Sequence, residues 1–552
     1  MEERYIASVD LGTSKLAVCV ARVQDRNVEV IYYKETPSLG ISYSHVINPG
    51  KVKNVLRTAI SEAQQTLKIK IQQVIVGLPR WYVRQETASA STTRPEPDDL
   101  IQESEIRELK SRALESYPLE NPGKEVIYGA VAQSFSTEDS INEPENDIVG
   151  MVSEKLEGNF KVFIGSRRYS SNIDSVFNDL GIAIAKKYFT PGITARAVLK
   201  PEQMENGVAL LDLGAGVSSV TIFKDKIMRF YSAIPFGGNS VTKDIQSECN
   251  FSFELAENIK IAYGACMPNK LSTLGEKTIQ IVDEEGNATS QVPVKYISEI
   301  ITARMKEIIE ALLYRIQESG YASESELRAG VVVTGGGADL VNCANFIKEL
   351  SGYSVKVARP RHFFSCDGCE EAGGTSAATS MGMILSAKGD RFLNCINDAT
   401  APVIRPTDLP PVRETVEDKA PVSEETPAVA ETLAVAEETG VTEEPVTAQA
   451  TEEPAYTPKP EAPEYDPYTP VEKSAAAEEA PADEPDNEEG GNVFSAPTKE
   501  EIKDYNEKKR QEKKKKKESR GHSGLFSWTK HVLGKVSEKV EGLYDEMSNE
   551  DV

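Results

Sequence analysis

No apolar run in this chain reaches the roughly 18 residues that a membrane-crossing helix needs. The start, Met1-Glu2-Glu3-Arg4, is acidic and leads straight into a strand-like run, so no secretory leader is expected. Cysteine is sparse: the 7 residues at positions 19, 249, 266, 343, 366, 369 and 395 are odd in number and lack a framework spacing, which predicts reduced thiols in a cytosolic compartment. His362, Cys366 and Cys369 offer three ligand types but no fourth at finger spacing, so no zinc site is expected there. The chain contains neither Gly-x-x-x-x-Gly-Lys-Ser/Thr nor a strand-borne Gly-x-Gly-x-x-Gly, which disfavours P-loop and dinucleotide-binding folds. Residues 1–400 hold no concentrated basic surface, so no nucleic-acid partner is expected.

Hydrophobic residues make up only 39 % of the 552 and the net charge is −25, values that predict a partly unfolded chain. The charge is local. Residues 401–500 carry 25 acidic and 6 basic side chains among Pro, Ala, Thr and Val. Such a segment buries too little apolar surface to offset a backbone entropy of about 1 to 2 kcal/mol per residue. Residues 397–507 therefore read as a disordered acidic linker. Residues 508–523 reverse the sign with a basic cluster that includes Lys513 through Lys517.

Apolar periodicity returns over residues 524–545. On a helix, Leu525, Phe526, Trp528, Val532, Leu533, Val536 and Val540 fall within an arc of about 160°. Aromatic residues on that stripe, a basic cluster just before it and a long tether predict an amphipathic helix lying on an anionic membrane surface.

Upstream of residue 397, β-branched runs alternate with helical patterns, predicting an α/β body of more than one lobe. Two segments look alike. One is an apolar run closing in Asp10-Leu11-Gly12-Thr13-Ser14-Lys15; the other closes in Asp212-Leu213-Gly214-Ala215-Gly216. Each is followed by a second apolar run, so each predicts a hairpin, and their separation suggests one design used twice. A third strand and turn, Val333-Thr334-Gly335-Gly336-Gly337, is expected to lead into a helix. The expected division is a first lobe at 1–84, completed by 166–200 and about 355–396, an inserted subdomain at 85–165, and a second lobe at 201–354 with a smaller part at about 238–290.

The glycine turns suggest a ligand. A triphosphate needs backbone N–H groups with no side chain in the way, and its Mg²⁺ needs carboxylates that reach it through water. Asp10 and Asp212 are the expected metal-side carboxylates. Gly12, Thr13, Ser14, Lys15, Gly214, Ala215 and Gly216 are the expected phosphate contacts, and Gly335, Gly336 and Gly337 are placed against an adenosine.

This order of motifs resembles the superfamily that joins actin, heat-shock chaperones and sugar kinases, and within it the FtsA family of bacterial cell-division proteins. The likeness extends through residues 207–216, 235–245, 256–264 and 333–338 and covers about residues 4–390, with the terminal helix besides. It implies a two-lobed actin-like ATPase fold with an FtsA-type inserted subdomain, binding ATP and Mg²⁺. It also implies that Glu257 and Lys260 reach the adenosine, and that Arg304, on an expected helix at 298–317, occupies the basic position that receives the C-terminal peptide of FtsZ. Self-association into filaments, contact with other division proteins and a place on the cytoplasmic face of the inner membrane at the division site follow from the same resemblance.

One departure from the family stands out. Ala215 and Val217 replace residues of its usual Asp-Ile-Gly-Gly-Gly-Thr turn, leaving Ser218 as the candidate hydroxyl, so weak or no ATP hydrolysis is expected. The competing readings are a small-molecule kinase or chaperone-type ATPase, and a membrane-associated pilus or secretion adaptor.

Overall fold

The computed structural model describes residues 3–24, 27–282, 288–360 and 364–396. The acidic linker, the basic cluster, the terminal helix and His362 lie outside the described residues.

Two five-stranded sheets carry the fold, and they share one topology. The first runs Ala183–Phe189, Gln73–Leu78, Arg4–Leu11, Lys15–Gln24, Asn27–Pro37. The second runs Val355–Val357, Val331–Thr334, Val208–Leu213, Ser218–Lys224, Ile227–Ile234. In each, three consecutive strands form an antiparallel meander, and the first of them pairs on its other side with a parallel strand reached by a crossover. Every residue of Val208–Leu213 is buried, as in a central strand covered on both faces. The two hairpins pair as expected, Leu11 opposite Leu16 and Leu213 opposite Ser218.

The return to the first lobe comes later than the expected 355. Val355–Val357 is hydrogen-bonded to Val331–Thr334 and so completes the second sheet. Only beyond it does the chain rejoin the first lobe, where Val30 N–H donates to Ser365 O at 2.7 Å and Cys395 N–H to Tyr5 O at 2.7 Å.

Helix Pro49–Leu67 covers the first sheet. Asn48 caps it by accepting from Lys51 N–H, Pro49 sits at its first position, and Val52, Leu56, Ala59, Ile60 and Ala63 form its buried stripe. Helix Ala378–Ala387 lies so close to Thr190–Val198 that a Cβ on Gly382 would stand 2.4 Å from Ile193 O. Behind the second sheet runs Val294–Glu318, a little longer than expected, with Ile301, Met305, Ile308, Ile309 and Leu312 buried. Helices Gly238–Cys249 and Phe253–Tyr263 and the hairpin Thr278–Val282 with Ala288–Pro293 make up the smaller part of that lobe.

The insertion forms a three-stranded antiparallel sheet in the order Arg84–Thr93, Lys155–Ser166, Glu125–Ser136, with helix Glu103–Glu115 against it. Its small core includes Phe135, Phe160, Ile106 and Leu109. Arg94, within a turn-rich stretch, is buried: it donates to Glu105 at 2.7 Å and to Ser153 O at 2.8 Å, pinning the turn to the helix start. The insertion also grips the edge strand of the second lobe, with Gln133 Nε2 donating to Met228 O at 3.0 Å and Arg229 Nη1 to Gln133 O at 3.0 Å.

Candidate functional site

Both hairpin turns, the turn after Val331–Thr334 and helix Phe253–Tyr263 face one cavity of about 440 Å³, within the range usual for small-molecule sites. The structure brings together on its walls Asp10, Gly12, Thr13, Ser14, Lys15, Asp212, Gly214, Ala215, Gly216, Ser218, Glu257, Lys260, Gly335, Gly336 and Gly337. Arg304 is not among the lining residues, and the residues from Leu525 to Val540 that were expected to face a membrane lie outside the described part.

The two hairpins meet tip to tip. A Cβ on Gly216 would stand 2.7 Å from Thr13 Oγ1, so only glycine allows this approach of the lobes. The second turn is backed by a loop that glycine spacing alone did not single out. Gly238 N–H donates to Gly214 O at 2.9 Å and Asn239 N–H to Ala215 O at 2.8 Å, while a Cβ on Gly237 would lie 2.3 Å from Gly214 O. Ser218 Oγ is buried and has no protein hydrogen-bond partner, and it belongs to the cavity wall. It is a hydroxyl available to a ligand one residue beyond the family's threonine. Gly335 (φ +84°) carries the third turn beneath Asp212, and Gly336 faces open space, where a flat ligand can approach the backbone. The turn leads first into a short 3₁₀ segment, Gly336–Asp339, and the expected helix begins only at Cys343.

Several charges expected to meet ligand already have protein partners. Lys15 is 2.5 Å from Glu35. Burial resists ionisation of Glu35, but hydrogen bonds from Lys15, Tyr33 and Ser376 outweigh it and hold the carboxyl below its ordinary range. Glu257 and Lys260 are more than a solvated pair on one helix face. Lys260 Nζ donates to Glu257 at 2.7 Å, to Thr242 Oγ1 at 2.8 Å and to Gly238 O at 3.0 Å, bracing the start of helix Gly238–Cys249. Burial lowers the Lys260 pKa against the pull of Glu257. Arg304 holds Asp244 in a two-pronged pair at 2.5 and 2.9 Å and reaches Glu307 at 2.5 Å, so its charge is balanced within the chain.

The most consequential residue missed by the sequence reading is Arg80, just beyond strand Gln73–Leu78, whose guanidinium donates to Asp212 Oδ2. A short polar chain leads to it across the cavity floor. Ser44 N–H donates to Thr13 Oγ1 at 3.0 Å, and Arg80 N–H donates to Ser44 Oγ at 3.2 Å. Tyr231, on the second lobe, donates to Arg80 O. Burial pushes the pKa of Asp10 up, and the Asp212 charge adds to this against the opposing pull of Arg80 and Lys15.

The expected Mg²⁺ pair is therefore altered. Asp212 gives one oxygen to Arg80, which already neutralises that carboxylate. As arranged, a hydrated metal between the two aspartates would have to share Asp212 with the Arg80 guanidinium, a cationic neighbour, so the donor set fits such a metal poorly.

Two copies of one sheet, each offering a hairpin turn to a shared cleft, define an actin-like two-lobed fold. Residues 209–382 match the family model described as Cell division protein FtsA. The protein of that name from Neisseria meningitidis serogroup B is 27 % identical over 365 residues, 65 % of this chain and 85 % of that protein. The one from Bacillus subtilis is 25 % identical over 365 residues, 65 % and 79 % of the two chains. The one from Borreliella burgdorferi is 26 % identical over 412 residues, 73 % and 96 %. Among solved structures, the PilM-PilN type IV pilus biogenesis complex aligns over 69 % of this chain and 98 % of that one at 14 % identity, with a TM-score of 0.49. The chain is a relative of the cell division protein FtsA.

Proposed function

We propose that this chain is an ATP-binding, actin-like cell-division scaffold that holds FtsZ filaments against the cytoplasmic membrane, with weak or no ATP hydrolysis. The observation that carries the nucleotide part is the convergence of three glycine turns and the Glu257–Lys260 helix on one inter-lobe cavity. The turns offer backbone N–H groups for phosphates and, at Gly336, an open face for adenosine. The division role is supported by the FtsA relatives.

Membrane attachment rests on the residue pattern of 524–545 and the basic residues before it. The FtsZ peptide is assigned to the second lobe beside Arg304. Because Arg304 already holds Asp244 and Glu307, an acidic peptide there exchanges with one of these carboxylates rather than meeting a bare cation. Subunits assemble into filaments with their tails on the inner-membrane surface at the division site.

Flotation with anionic vesicles tests this reading. The intact chain should rise with the vesicles and carry FtsZ with it, whereas a chain truncated before Gly524 should stay at the bottom. Flotation of the truncated chain to the same extent would overturn the anchor assignment, and vesicles that rise with the intact chain but without FtsZ would overturn the tethering role.

A further inference from the structure

We propose that Arg80 is the cleft's resident cation, standing where a divalent metal would bridge Asp10 and Asp212, so that the cleft takes up adenine nucleotide without needing Mg²⁺. This rests on the reading of the cleft as a nucleotide site. Arg80 comes from the first lobe and Asp212 from the second, so their ion pair spans the cleft floor. The pair is well shielded, with side-chain exposures of 18 % and 11 %, and so is little weakened by solvent.

The backbone around Arg80 is held from both sides. Ser44 Oγ accepts its N–H, and Tyr231 of the second lobe donates to its carbonyl. The next residue, Trp81, is 1 % exposed and packs 5.3 Å from Tyr43 between ring centroids. Arg80 is thus a placed cation, not a wandering surface arginine.

A second guanidinium nitrogen lies beside the phosphate-side turn, with Nη2 3.1 Å from where a Cβ of Gly214 would be. A guanidinium is charged at all accessible pH values and offers a planar fork suited to phosphate oxygens. It can hold Asp212 with one edge and a phosphate with the other. A hydrated Mg²⁺ at the same place would need carboxylate oxygens that accept from its waters. One oxygen of Asp212 is already taken by Arg80, whose positive charge neutralises that carboxylate from within the chain.

The test is equilibrium binding of a fluorescent ATP analogue to the full chain, in Mg²⁺ and in EDTA, for wild type, Arg80→Met and Arg80→Lys. Wild type should bind within about threefold in the two buffers, and Arg80→Met should weaken about 100-fold in EDTA and recover in Mg²⁺. Arg80→Lys, which keeps a point charge, should hold most of the EDTA binding. A loss of wild-type affinity in EDTA of about 100-fold overturns the proposal, and this wild-type arm does not depend on any variant folding. Should no protein bind nucleotide in either buffer, the nucleotide reading fails. Mn²⁺ titration of the nucleotide-free proteins, followed by electron paramagnetic resonance, then still decides the role of Arg80. Uptake of one Mn²⁺ by Arg80→Met and none by wild type supports it, and equal uptake overturns it.

Discussion

Gly335→Ala is expected to destabilise the second lobe by about 3 kcal/mol or more and to abolish nucleotide binding. Two costs combine. At φ +84° an alanine is held in left-handed backbone space, which costs about 1 to 3 kcal/mol. Its Cβ would also stand 2.6 Å from Asp212 Oδ1 and 2.7 Å from Leu213 O. Leu213 O is backbone of a central strand and cannot yield without disturbing the hairpin that ends in Asp212. Gly336→Ala is the internal control, because a Cβ there meets nothing within 4 Å. It should leave the denaturation midpoint unchanged yet lower ATP affinity, since its methyl enters the cavity. Urea denaturation and binding of a fluorescent ATP analogue read both outcomes, and equal stability of Gly335→Ala and wild type would contradict the argument.

Trp81→Ala should cost about 3 to 5 kcal/mol, the usual range for removing a large buried aromatic side chain. Trp81 is 1 % exposed in the core of the first lobe, with Tyr43 and His45 ring centroids at 5.3 and 5.8 Å. His45 Nε2 lies 3.1 Å from Trp81 O and stacks in turn on Tyr169 at 3.8 Å, so truncation leaves a cavity walled by aromatic rings that cannot collapse into it. The same truncation frees the neighbouring Arg80 from its packing. The urea midpoint, followed by circular dichroism, should fall while the slope stays unchanged. Because the chain has only 2 tryptophans, Trp81 and Trp528, a Trp528→Phe background lets fluorescence report on Trp81 alone. A loss below about 1 kcal/mol would show that the pocket relaxes around the missing ring.

The hairpins were legible in the sequence because their signals are local: alternating apolar residues, an aspartate, a glycine turn, then apolar residues again. The same holds for the stripe of helix Val294–Glu318. Arg80 was not legible, because its partner Asp212 lies 132 residues away and joins it only when two separately coded lobes close. The strand Arg84–Thr93 was missed for another reason. It is built from Arg, Gln, Glu, Thr, Ala and Ser and buries only Ala88, so its residues carry no hydrophobic alternation, and its pairing with Lys155–Ser166 supplies the order. Lys15 and Arg304 were read as cations awaiting a ligand, since Glu35 and Asp244 become their partners only through tertiary contact. Ser218, the candidate hydroxyl of the second turn, pairs opposite Leu213 at the start of its strand and lines the cavity.

The central claim is that the paired glycine turns grip a nucleotide between the lobes. Hydrogen–deuterium exchange on the intact chain with and without ATP tests it most directly. ATP should slow exchange in peptides covering residues 10–15, 212–218 and 335–337 together, because one ligand touches all three turns. Unchanged exchange in those peptides at saturating ATP, or protection confined to other regions, would contradict the account.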